Sequence, residues 1–150
     1  MDPVDATGPM RFVLTAAPPG EVSRRLARGA LDRRLAACVS VVPVGSTYHW
    51  RGKVEEASES ILLFKTVPKR VGALFAFLER EHPYEVPEIV ELDVPRVAPS
   101  YLRYLAETLD PTSPPPPLGG GRGPAATRSG SRRGRGARAP ARTRGPRRPR

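Results

Sequence analysis

The chain has 150 residues, a formal net charge of +10, 27 % charged residues and 39 % hydrophobic ones. That length allows one domain. The charge is unevenly placed: residues 111–150 hold eleven arginines and no acid, while residues 1–110 hold fourteen basic residues against fifteen acids, so the globular part is excluded as a basic nucleic-acid-binding domain.

The first nine residues, beginning Met1-Asp2-Pro3, are expected to form a flexible leader ahead of a domain over 10–110. Phe12-Val13-Leu14 is a short apolar run closed by Pro18-Pro19-Gly20, which predicts a strand and a turn. Val22, Leu26, Ala30 and Leu31 recur at helical spacing, with Arg24, Arg25, Arg28 and Arg33 opposite them, so an amphipathic helix is expected to end near Leu35. A long strand follows from Ala37 to Trp50. Pro43 and Gly45 within it predict a bulge or bend.

Arg51-Gly52-Lys53 reads as a tight turn into a second long strand, Val54 to Val67, whose apolar centre Ile61 to Phe64 suits a strand covered on both faces. Pro68 fits the first turn of a helix carrying Val71, Leu74, Phe75 and Leu78 on one side. His82-Pro83-Tyr84-Glu85-Val86-Pro87 breaks that helix, because both prolines favour extended backbone. Ile89, Val90, Leu92 and Val94 among Glu88, Glu91 and Asp93 predict a half-buried strand. Pro99 opens a last helix with Leu102, Leu105 and Leu109 aligned. The order β-α-β-β-α-β-α predicts an α+β, ferredoxin-like βαββαβ sandwich with an extra C-terminal helix, its helices on one face of an antiparallel sheet.

Residues 111–150 read as a disordered tail, since they are rich in Pro, Gly and Arg and hold Leu118 as their only large aliphatic. The single cysteine, Cys38, forms no internal disulfide and fits a reducing cytoplasm. No apolar run is long enough to span a bilayer, and no membrane role is expected.

Five ordered segments together resemble the CutA divalent-cation-tolerance family. They are Leu35 to Pro43, Tyr48-His49-Trp50-Arg51-Gly52-Lys53-Val54-Glu55-Glu56, Leu62-Leu63-Phe64-Lys65-Thr66, His82-Pro83-Tyr84-Glu85-Val86-Pro87-Glu88-Ile89, and Tyr101-Leu102-Arg103-Tyr104-Leu105. The resemblance covers about 100 residues, the whole of the expected globular part. It implies a homotrimer akin to PII-type signalling trimers, a cytoplasmic location and a link to tolerance of copper and other divalent cations. It implies no catalytic reaction.

The resemblance also directs attention to His82 as a ligand for Cu(II) or another divalent cation, since imidazole suits such metals. Some members place a second histidine before this one and a cysteine in the first strand; here those positions hold Glu81 and Thr15. His82 and Glu81 alone fall short of the three or four ligands of a tight site. Either Cys38 approaches them in the fold, or three His82 side chains converge at a trimer axis. The alternative is that His82 caps the second helix and positions the following loop, and that Cys38 is a small core residue.

Tyr48, Trp50 and Phe64 on the long arms are expected at an oligomer interface, because a domain this small leaves apolar surface to cover. Tyr48 and Trp50 share one strand face and His49 takes the other. Glu85 and Glu88 lack the companions of a reaction centre and are read as ion-pair partners of Lys65 and Arg51 across subunits. Beside the metal-tolerance reading stands a PII-like regulatory trimer whose clefts hold a small anionic ligand or a protein partner. The arginines of the tail, Arg132, Arg133, Arg135, Arg147 and Arg148 among them, suit non-specific nucleic acid through its phosphates.

Overall fold

A computed structural model describes residues 8–112. Its elements run β1 (Met10–Ala17), α1 (Glu21–Asp32), β2 (Cys38–Trp50), β3 (Lys53–Thr66), α2 (Pro68–Glu81), β4 (Ile89–Val94) and α3 (Pro99–Leu109). The four strands form one sheet in the order β2-β3-β1-β4 with every neighbouring pair antiparallel, which is the ferredoxin-like arrangement.

α1 stops at Asp32, three residues short of the expected Leu35. Arg34 adopts φ 53°, and its amide and that of Leu35 turn back to the Leu31 and Ala30 carbonyls. This left-handed closure satisfies the last carbonyls of the helix and turns the chain into β2. The expected bulge at Pro43 and Gly45 does not form. β2 pairs with β3 without interruption from Cys38↔Lys65 to Trp50↔Lys53, with Pro43 opposite Ser60. β2 is an edge strand, where proline's missing N–H removes no bond from a second neighbour. The arms close through Arg51 (φ 49°) and Gly52 (φ 78°), the positive pair that a two-residue hairpin of native twist requires.

One face of the sheet carries the main core. Val13, Ala17, Leu62 and Phe64 pack there against Leu26 and Ala30 of α1 and Leu74, Phe77 and Leu78 of α2. Phe64 is fully buried among them, which corrects its assignment to an interface: its alternation places it under the helices of its own chain. α3 departs from the expected single helical layer. Its Leu105 and Leu109 pack with Met10 and Ala37, joined by Phe12 and Val94, on side chains of the opposite sheet face.

Among the described residues no helix covers the rest of that second face. Leu14 pairs in register with both Leu63 and Val90, Phe12 with Leu92 and Val42 with Ile61, so these side chains form a continuous apolar surface. Val42 is 49 % exposed, Val90 40 % and Leu92 45 %. β4 is therefore more open than the half-buried strand its pattern suggests, because it is the other edge of the sheet.

Candidate functional site

The site sits where α2 ends and the chain returns to β4. His82 closes the helix, its amide donating to the Leu78 carbonyl at 2.9 Å. Its imidazole turns inward and is 8 % exposed. Nε2 lies 2.9 Å from the Ala16 carbonyl oxygen, and Nδ1 lies 3.2 Å from the Tyr84 amide nitrogen. A carbonyl accepts and an amide donates, so the ring is neutral with its proton on Nε2. Burial holds its pKa below the ordinary 6.5, against the opposing pull of the Ala16 carbonyl and the Glu59 charge; Arg25 adds to the lowering. Both ring nitrogens are therefore engaged.

The other residues assigned to metal are engaged elsewhere. Glu81 is held by Arg25 Nη1 at 3.1 Å and Arg80 Nε at 3.2 Å, and its carbonyl takes a further bond from Arg25. Cys38 is half-buried, with Lys65 Nζ 3.6 Å from its sulfur and also bonded to Ser40. Through Lys65 it stands level with Phe12 in the sheet, four residues along β1 from Ala16, to which His82 bonds. That offset is about 13 Å along the strands, with two strand spacings across, so Cys38 does not approach His82 within one chain. Among the described residues no group of three His, Cys, Asp or Glu is placed to hold a metal ion.

Tyr48 and Trp50, 43 % and 38 % exposed, line a groove of about 810 Å³. Its wall on one side is the outer part of β2; on the other it is the loop of Pro83, Tyr84, Glu85, Val86 and Glu88, with Ala16 and Glu59 at the base. Tyr84 donates its hydroxyl to Glu59 Oε2 at 2.7 Å. Burial raises the Tyr84 pKa well above its ordinary 10, and the bond to Glu59 raises it further. At the mouth Arg51 reaches Glu85 at 3.2 Å and lies over the Trp50 ring. The Glu85–Arg51 pair thus forms within a chain, while Lys65 turns to Ser40 and Cys38.

Glu59 escaped the sequence reading. It lies two residues before the apolar run of β3, an acid at a position whose alternation points to the base of the groove, and it is 8 % exposed. The tail arginines Arg132, Arg133, Arg135, Arg147 and Arg148 lie outside the described residues.

The fold and this loop define a small ferredoxin-like protein of the divalent-ion-tolerance class. The family model described as "CutA1 divalent ion tolerance protein" matches residues 11–108, and the chain belongs to that family. It is 37 % identical over 102 residues to the CutA homolog of Xenopus laevis, covering 67 % of this chain and 68 % of that protein. It is 42 % identical over 96 residues to the divalent-cation tolerance protein CutA of Thermus thermophilus, covering 63 % and 93 %. Against the Mus musculus protein CutA the chain spans 60 % of the relative's length. Among solved structures, CutA1 from Oryza sativa aligns with TM-score 0.65 at 35 % identity, covering 69 % of this chain and 95 % of that one. CutA from Archaeoglobus fulgidus, described as periplasmic, aligns with TM-score 0.66 at 30 % identity, covering 67 % and 99 %. Among the described residues no helix is long and apolar enough to cross a membrane.

Proposed function

We propose that this chain works as a cytoplasmic homotrimer of the divalent-cation-tolerance type and is not an enzyme. The observation that carries the assembly is the apolar sheet face of Leu14, Val42, Ile61, Leu63, Val90 and Leu92, bordered by the outer edges of β2 and β4, which pair with no strand among the described residues. Edges of this kind accept strands from another chain, and a closed ring of copies covers face and edges together. The projecting arm with Tyr48 and Trp50 extends the same contact. Cys38, free in the structure, is in keeping with a reducing compartment. Light scattering on the full chain tests the assembly: three times the chain mass is expected, and a monomeric mass would sink the reading.

Within this reading contact with Cu(II) is weak. His82 must release the Ala16 carbonyl or the Tyr84 amide before either nitrogen coordinates, and Glu81 must leave two arginines. Calorimetric titration with Cu(II), on the full chain and on His82→Ala, should give affinities weaker than micromolar and little changed by the substitution. Tight binding lost in the variant would restore His82 as a ligand.

A second reading is favoured by the groove. It has the size of a small-molecule pocket, and aromatic rings stand in it beside the polar side chains of Ser46, Thr47, Glu59, Glu85 and Glu88. In this reading the trimer is a PII-like regulator that responds to a metabolite. A metabolite screen that raises the melting temperature, while Cu(II) leaves it unchanged, would support it.

A further inference from the structure

The side chains lining the groove carry one sign of charge. Glu59, Glu85 and Glu88 line it together with Tyr48, Trp50 and Tyr84, and neither lysine nor arginine is among the lining residues. Arg51 neutralises Glu85 at the mouth, and among the described residues no salt bridge reaches Glu59 or Glu88. Glu59 is the informative one. It is more than nine-tenths buried, and among the described residues its only hydrogen-bond donor is the Tyr84 hydroxyl, on Oε2. Oε1 takes no hydrogen bond from the described residues, and no salt bridge among them reaches this carboxylate. The nearby imidazole of His82 is neutral, with its proton turned to Ala16. Oε1 is not among the buried unpartnered atoms, so it opens onto the groove, and a carboxylate set back from bulk water with no counter-charge gains on binding a cation there.

The walls decide which cation. A hard divalent ion wants six or more oxygen ligands, whereas this groove sets a single buried carboxylate among three aromatic rings. Aromatic faces attract alkylammonium groups and cover their methylenes or methyls, which an inorganic ion lacks.

We propose that the groove binds a small alkylammonium compound, its charged nitrogen held by Glu59 and its alkyl part against Trp50, Tyr48 and Tyr84. This rests on the reading of the groove as a small-molecule site and reverses the sign of ligand expected from the sequence.

Trp50 is the single tryptophan of the chain, so its fluorescence reports on the groove and on the arm contact, and the mass by light scattering is followed on the same samples to separate the two. The full chain, in its own assembly, is titrated with choline and putrescine, and separately with inorganic phosphate, citrate and Mg(II). Saturable quenching or a spectral shift by an ammonium compound is expected, weakened at least roughly tenfold in Glu59→Gln, since losing one partner of a buried charge pair commonly has that effect. Glu88→Gln, an exposed rim change that leaves the fold alone, should also weaken binding and decides the matter if Glu59→Gln does not fold. Glu21→Gln on α1, remote from the groove, should change nothing.

A response to phosphate or citrate without one to ammonium compounds would overturn the proposal while keeping a small-molecule site. A response to Mg(II) alone would overturn it in favour of an inorganic ion. No response to any probe would remove both the proposal and the reading beneath it. Binding unaffected by either glutamate substitution would overturn the assignment of the counter-charge.

Discussion

The imidazole of His82 and the carbonyl of Ala16, 66 residues apart in sequence, meet at 2.9 Å. The bond ties the end of α2 to β1, and the other ring nitrogen accepts the Tyr84 amide, so one neutral side chain sets the path of the loop over the groove. Burial favours the neutral form and lowers the pKa from 6.5. Below the ordinary value the unfolded chain therefore binds a proton that the folded chain does not. The stability this group supplies is complete above pH 6.5 and is lost as pH falls through the lowered folded value. Urea unfolding of the wild type and of His82→Gln from pH 7.5 to 4.5 should show a steeper loss in the wild type. The difference is bounded by the slope for one proton, about 1.4 kcal/mol per pH unit. Parallel curves would show that His82 titrates alike in both states.

Thr15 is fully buried between Leu62 and Ile89 in the sheet register, and its hydroxyl oxygen has no hydrogen-bond partner among the described residues. An unmet buried hydroxyl costs about 1–3 kcal/mol. Thr15→Val keeps the shape and removes that group, so it should raise the unfolding free energy by roughly 1 kcal/mol. Thermal unfolding followed by circular dichroism checks this. A lowered midpoint would mean that the hydroxyl is satisfied in solution.

These two residues mark how far the sequence could be read. The elements and their order were legible because apolar periodicity and the prolines at 68, 83, 87 and 99 leave few alternatives. The regular pairing through Pro43 was not, because a proline signals a bulge until its strand is known to be an edge. Phe64 looked like Tyr48 and Trp50 in sequence, since an aromatic on a strand does not reveal which face lies under helices. His82 stood out by type. Its engagement of both ring nitrogens depends on a carbonyl 66 residues away, and Glu59 becomes notable only once Tyr84 is folded onto it.

Gly29 of α1 faces Phe77 of α2, and a Cβ at that position would stand 2.6 Å from the ring carbon Cζ. Alanine would favour the helix by about 1 kcal/mol. The Phe77 ring is buried and carries Arg33 and Arg80 over its faces, so it has little room to withdraw. Overpacking of this kind costs about 1–3 kcal/mol and should prevail. Gly29→Ala is expected to lower the urea midpoint with an unchanged m-value. A higher midpoint would show that α1 and α2 can separate without cost.

Phe64 and Leu92 lie on opposite faces of the sheet and separate folding from assembly. Phe64 is fully buried against both helices, so Phe64→Ala should lower the unfolding free energy by about 3–5 kcal/mol, whatever the oligomeric state. Leu92 is 45 % exposed on the uncovered face. An arginine there meets water in the single chain and should alter its intrinsic stability by no more than about 0.5 kcal/mol. In a trimer it would bury an unpaired charge in an apolar contact. Leu92→Arg should therefore keep the circular dichroism spectrum of a folded chain and fall to monomer mass by light scattering. A trimer that survives it would place the contact away from this face and leave the strand edges to carry it.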